Sequence, residues 1–277
     1  MLSKEKTNIR LINTSSSYFP NFHEIREYKG LLYFLVLKDI KTRYAQSVIG
    51  IGWAVIQPIF FMLVFTIIFG KLAKIDSQGV PYAVFSYCAL VPWTFFSNAL
   101  SDSANSLITN ITLVTNIYIP RILIPLSAVT GKFIDFLIAL VILFAMILWF
   151  GFNINFKIFL SLFYIILMFI SALGFGLILG TMAAQYRDIK HALAFGVQLF
   201  MYATPVAYSS EIIPENYRII YAINPMVTVV EGFRDTFINA GVIDLNMIFV
   251  SSISAFILLI IGLIYFSKIE RIFADVI

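Results

Sequence analysis

The sequence predicts an all-α, polytopic membrane protein with six transmembrane helices, and three observations predict it. Hydrophobic residues make up 60% of the 277 residues and charged residues 12%, where a soluble domain carries roughly 25% charged residues. Apolar runs suited to a hydrocarbon core, which takes about 20 apolar residues per helix, occur at about 49–69, 80–100, 122–150, 158–184, 191–208 and 246–266. Outside those runs, thirteen lysines and arginines fall on the side of the N-terminus and five on the other. That positive-inside bias places both termini in the cytoplasm. A chain of this length holds six such helices with short loops, and no second soluble domain is expected.

Taken in order, residues 1–23 read as a polar extension with Lys4, Lys6, Arg10 and a serine tract at 15–17. No apolar core for a cleavable signal lies there, so the N-terminus is expected to stay inside. Residues 24–47 read as an amphipathic helix lying in the cytoplasmic interface. Tyr33, Val36, Leu37, Ile40 and Tyr44 share one helical face, and Lys38, Asp39 and Lys41 point elsewhere. Such a helix serves as a docking surface or as a passive anchor for the first span. Residues 48–277 form the six-span domain.

The loop at about 103–118 carries Leu107, Ile108, Ile111 and Val114 at helical spacing among Asn105, Asn110 and Asn116. A helix with that face sits in a groove on another protein or rests at the interface with no partner. In the third span Lys132 and Asp135 stand three residues apart, close enough to pair across one turn as a structural pair or, alternatively, a proton relay. The segment at about 209–245 holds Glu211, Glu215, Glu231, Asp235 and Asp244, with Pro214 and Pro225, around apolar stretches at 219–223 and 226–230. It is too polar to span and too apolar for a free loop. Two short re-entrant helices dipping in from the outer side fit that mixture, provided protein covers the broken backbone; a helix pair lying flat on the outer leaflet is the alternative.

Several chemistries lack their residues. The chain has no Gly-x-x-x-x-Gly-Lys-Ser/Thr loop to cradle a nucleotide. His23 and His191 are its two histidines, without metal-ligand spacing. No Gly-x-Ser-x-Gly motif occurs, and Cys88 has no partner for an intrachain disulfide. No catalytic residue, metal site, resident cofactor or nucleic-acid partner is expected, and energy for transport is expected from another chain.

A set of short motifs lies along this topology: Lys38-Asp39-Ile40-Lys41-Thr42-Arg43-Tyr44, Gly50-Ile51-Gly52-Trp53 with Pro58, Val91-Pro92-Trp93-Thr94-Phe95-Phe96, Ile119-Pro120-Arg121, Tyr186-Arg187-Asp188-Ile189, Thr204-Pro205-Val206 and Asn224-Pro225-Met226. In this order and spacing, from about residue 25 onward, the chain resembles the membrane subunits of bacterial ABC exporters that carry O-antigen, capsule or teichoic acid, the type-2 ABC permeases. The resemblance implies a homodimer in the bacterial cytoplasmic (inner) membrane, working with two copies of a separate ATPase that binds ATP and magnesium. The cargo it implies is a polysaccharide linked to a polyprenyl diphosphate lipid.

It also assigns residues. The coupling helix falls at about 103–118, so that Leu107, Ile108, Ile111 and Val114 join Lys38, Lys41 and Arg43 of the interfacial helix as ATPase-coupling candidates. Arg187 and Asp188 match the family's Arg-Asp motif. Its channel is lined by the first, second and fifth spans, where sugar rings pack their C–H faces on aromatic rings. Three faces answer to it: Trp53, Gln57 and Phe60; Tyr82, Phe85 and Phe96; and Phe195, Gln198 and Tyr202. Any one of these aromatics also fits a lipid-facing or packing role. The rival readings are an ABC permease for a small lipophilic substrate, a membrane-embedded glycan-assembly enzyme and a stand-alone channel.

Overall fold

A computed structural model describes residues 22–45, 49–116, 119–153 and 155–270, so the 1–23 extension lies outside the described residues except for its last two. Everything regular in the described residues is helical. A short α1 (Phe22–Glu27) leads into α2 (Lys29–Tyr44), which packs on α6 (Leu123–Gly131). The buried residue of α2 is Leu35, while Tyr33 is exposed. The side that packs is thus displaced from the face that apolar spacing predicts.

The first span is α3 (Gly52–Phe65), prolonged by a π-helical turn to Leu72. Next comes α4 (Tyr82–Thr109), the axis of the molecule, which packs against α3, α6, α7 (Phe133–Trp149), α8 (Leu160–Gln185), α9 (Arg187–Tyr202) and α11 (Pro225–Ile238). Its 28 residues reach about 42 Å, nine residues past the predicted end at 100. The extension is polar yet helical because its side chains bond back to the turn before: Asn105 Nδ2 donates to Ser101 O at 2.8 Å and Thr109 Oγ1 to Asn105 O at 2.7 Å. Consequently 103–118 is not one helix. Its first part belongs to α4, the chain breaks at Asn110, and α5 (Ile111–Asn116) follows as a separate short turn.

Among the described residues, five helices are long and apolar enough to cross a membrane: Gly52–Leu72, Tyr82–Thr109, Leu123–Trp149, Phe156–Gln185 and Leu245–Glu270. The third is α6 and α7 joined at Lys132, and the last is α12 (Leu245–Glu270). The run predicted at 191–208 is shorter than expected. There α9 has 16 residues and opens on the polar Arg187, Asp188, Lys190 and His191; it reaches about 24 Å, less than a hydrocarbon core of about 30 Å. The segment 209–245 does form two short helices, α10 (Glu215–Tyr221) and α11. Asn224 caps α11 by accepting from Met226 N–H at 3.0 Å, Pro225 opens its first turn, and Asn239 at φ 51° closes it in the left-handed region.

Glycines bring the backbones of α8 and α12 close together. A β-carbon on Gly174 would stand 2.8 Å from the Leu259 backbone nitrogen, and one on Gly262 would stand 2.8 Å from Gly174 O. Gly174→Ala is therefore expected to cost about 1–3 kcal/mol through overpacking. Gly30→Ala, in open space on α2, should be neutral or gain about 0.5–1 kcal/mol. Thermal unfolding of both purified variants checks the pair.

Candidate functional site

One end of the bundle, where α2 crosses α4 and α6, gathers charged side chains from three elements. The last turn of α2 turns Arg43 and Tyr44 inward. Arg43 Nη1 lies 2.7 Å from Asp135 Oδ2 and Nη2 lies 3.7 Å from Asp102 Oδ2. Lys132 Nζ lies 2.7 Å from the same Asp102 oxygen, and the Tyr44 hydroxyl donates to Asp135 Oδ1. Burial, and then this bond to Asp135, push the Tyr44 phenol up to about 12, so it remains a donor at neutral pH. Burial also raises the Asp39 carboxyl above its ordinary range, against the pull of Lys38 and Arg43.

The expected Lys132–Asp135 pair is therefore replaced by two ion pairs to other elements. Lys132 sits at the joint between α6 and α7, and its ammonium reaches sideways to α4. Asp135 is left to the guanidinium of α2. Spacing along one helix shows that two residues share a turn; it does not show which neighbour competes for each.

Beside these ions lies a cavity of about 300 Å³, walled by Arg43, Trp53, Gln57, Thr94, Asn98, Lys132, Asp135 and the rings of Phe95 and Phe136. A second, of about 400 Å³, opens along α2 between Lys38, Asp39, Asp102, Asn105 and Asn110. There Lys38 Nζ donates to Asn110 Oδ1 at 3.0 Å. Among the described residues no group of three His, Cys, Asp or Glu side chains is placed to hold a metal ion.

The structure divides the predicted channel residues. Trp53 and Gln57 line the first cavity. Phe60 on α3 and Phe195, Gln198 and Tyr202 on α9 are exposed. Phe85 and Phe96, by contrast, are 0% exposed, and a ring with no free surface lines no path within this chain. Phe85 lies 3.7 Å under the Arg234 guanidinium, and Phe96 packs among Trp93, Phe175 and Phe200. Tyr82 is buried and its hydroxyl donates to Ala207 O at 2.6 Å.

The coupling candidates divide in the same way. Lys38, Lys41 and Asp188 are exposed and Arg43 faces inward. Ile108 and Ile111 are half-buried, and the side chains of Val114 and Arg187 lie outside the described ones. Leu107 is 1% exposed, packed with Ile119, Ile122, Ile124, Leu177 and Phe266. The predicted docking face is thus broken at its first member, because helical spacing defines a stripe without naming what covers it. Leu107→Ala is expected to cost about 2–5 kcal/mol and to appear as lost thermal stability, with no selective loss of coupling in whatever protein remains folded.

Sequence reasoning missed Asp102, Thr94 and Asn98, and missed that Glu231 and Arg234 form a pair with no solvent exposure. The signal for that pair is two opposite charges one turn apart on α11, within an apolar stretch that runs from Met226 to Phe237 and is broken otherwise by Asp235 and two threonines.

Comparison with known proteins places this geometry in a family. The model described as ABC-2 type transporter matches residues 30–238. An O-antigen export system permease protein RfbA of Klebsiella pneumoniae is 30% identical over 247 residues, covering 89% of this chain and 94% of that protein. Its namesake in Myxococcus xanthus is 27% identical over 216 residues, covering 77% and 82%. The polysialic acid transport protein KpsM of Escherichia coli is 25% identical over 218 residues, covering 75% and 83%. With several membrane-crossing helices and a match over most of its length, this chain belongs to the ABC-2 type transporter family.

Proposed function

We propose that the chain is the membrane subunit of an exporter that moves a lipid-linked, O-antigen-like polysaccharide across the bacterial cytoplasmic membrane. Two copies of the chain form the path, and two copies of a cytoplasmic ATPase bind ATP and magnesium and supply the work. The relatives' names suggest the cargo. One structural observation carries it: α3 and the short α9, both little covered by the rest of the chain, interleave amides with aromatics. Gln57 stands with Trp53 and Phe60, and Gln198 with Phe195 and Tyr202. Aromatic faces accept sugar C–H groups and amides accept hydroxyls, a combination that a purely lipophilic cargo does not require.

In this reading α2 and both termini face the cytoplasm, supported by the excess of positive charge on that side. The short α9 with the turn after it makes a sixth crossing. On the outer side α10 and α11 re-enter, and the backbone of α11 is covered by α4, α8 and α12, as lipid demands. Domain limits remain 1–23, 24–47 and 48–277. Lys38, Lys41, Asp188 and α5 offer the exposed surface for the ATPase, Arg187 stands beside Asp188 in the first turn of α9, and Arg43 transmits rather than docks. A strain lacking the chain should lose surface polysaccharide and accumulate the lipid-linked form inside, with both reversed on re-expression. Retained surface polysaccharide with lost efflux of a small lipophile would favour the rival permease.

A further inference from the structure

We infer that the 300 Å³ cavity between α2, α3, α4 and α7 is a binding site for one neutral sugar ring, a way station at the inner mouth of the path. The inference rests on the polysaccharide reading and adds to it a defined place and charge preference. Its first support is polarity without partners. Gln57, Thr94 and Asn98 border the cavity, and none has a side-chain hydrogen bond among the described residues. Thr109, Thr130, Thr181 and Thr204 each return the hydroxyl to the carbonyl four residues back. Thr94, on the same kind of helix, does not. In a spanning segment such groups are costly unless something polar meets them, and two amides with a hydroxyl offer the donors and acceptors that vicinal hydroxyls need.

Charge narrows the ligand. Both cations at the cavity are already held by carboxylates, Arg43 by Asp135 and Lys132 by Asp102, so their formal charges cancel. A diphosphate finds no free cation here, whereas a neutral polyhydroxyl compound keeps the ion pairs intact. Trp53, half exposed beside Phe95 and Phe136, adds an aromatic wall for the ring's C–H face. The volume lies at the lower end of small-ligand sites, roughly 300–1,000 Å³, which suits one ring rather than a chain. Because Arg43 belongs to α2, occupancy of the cavity bears directly on the element nearest the ATPase.

Tryptophan fluorescence of the whole permease–ATPase complex in nanodiscs tests the site without turnover, with Trp53→Phe to isolate the signal of Trp53. The probes are neutral methyl glycosides of common hexoses, N-acetylhexosamines and deoxyhexoses, with inorganic pyrophosphate as the anionic probe. The expected result is a saturable Trp53 signal with at least one glycoside, weakened about tenfold in Gln57→Ala/Asn98→Ala and roughly threefold to tenfold in Thr94→Val, and none with pyrophosphate. Thr94→Val, nearly isosteric, keeps the test decisive if the double variant fails to fold. A saturable signal from pyrophosphate alone, from no glycoside, or undiminished in Thr94→Val would overturn the site. Failure here with surface polysaccharide export intact overturns the cavity assignment alone. Loss of lipophile efflux in place of export, in the strain lacking the chain, would instead overturn the transport reading beneath it.

Discussion

Replacing Arg234 with alanine is expected to deplete the protein from the membrane fraction. The guanidinium and the Glu231 carboxylate are 0% exposed and 3.2 Å apart. Arg234 Nη1 and Nη2 donate to Tyr208 O and Val206 O, each at 2.9 Å. Glu231 in turn accepts from Ser210 N–H at 2.8 Å and from Val242 N–H at 3.1 Å. One ion pair on α11 therefore ties down the turn that follows α9 and the segment that leads into α12. Removing the arginine leaves a carboxylate buried without its counter-charge and two carbonyls without donors, at a cost of about 3–5 kcal/mol against a total stability of about 5–15 kcal/mol. Arg234→Lys should fall between, because an ammonium lacks the fork that reaches both carbonyls. Glu231→Gln/Arg234→Met removes both charges and should recover part of the loss. Membrane abundance and thermal midpoint measure the series, and a single variant as stable as wild type would contradict it.

Reversing one charge at the α2 end should uncouple the two subunits rather than unfold this one. Arg43→Asp sets a third carboxylate beside Asp102 and Asp135, which repels α2 from the start of α7. Arg43 and Asp135 are 23% and 24% exposed, so the pair is partly screened and its coupling energy is expected at roughly 1–2 kcal/mol. The expected result is an assembled complex that hydrolyses ATP with export down about tenfold, since 1.4 kcal/mol is a factor of ten. Arg43→Asp/Asp135→Arg restores attraction across the same gap and should recover a large part of export. Export per ATP hydrolysed is the readout. Normal coupling in Arg43→Asp and in Asp135→Arg alone would remove this ion pair from the transmission path.

The elements that were legible are those whose signal is carried by one segment alone. The apolar runs behind α3 with its π-helical turn, α8 and α12 are each long enough to cross, and the mixed composition around Pro214 and Pro225 marks α10 and α11. What the sequence left hidden depends on neighbours. The polar end of α4 is helical because Asn105 and Thr109 bond to their own backbone, which composition alone reads as a loop. Leu107 sits on an apolar stripe, but only packing against Phe266 and Leu177 shows that the stripe is covered. Lys132 and Asp135 share a turn, yet Asp102 and Arg43 outcompete that contact. In the candidate site, the family resemblance singles out Trp53 and Gln57 as channel candidates, and both line the cavity. Thr94 and Asn98 complete the cavity from another helix, and no local pattern joins them to it.

In the proposed function this chain couples ATP hydrolysis on a partner to movement of a lipid-linked glycan. The most direct test of that coupling is the ATPase rate of the complex, purified with the partner ATPase and reconstituted in nanodiscs, with and without polyprenyl diphosphate-linked glycan. The expected result is a complex of two copies of each subunit whose hydrolysis changes when the glycan is added. A chain that purifies without any ATPase, or a complex whose hydrolysis ignores the glycan and responds to a small lipophile, would contradict it.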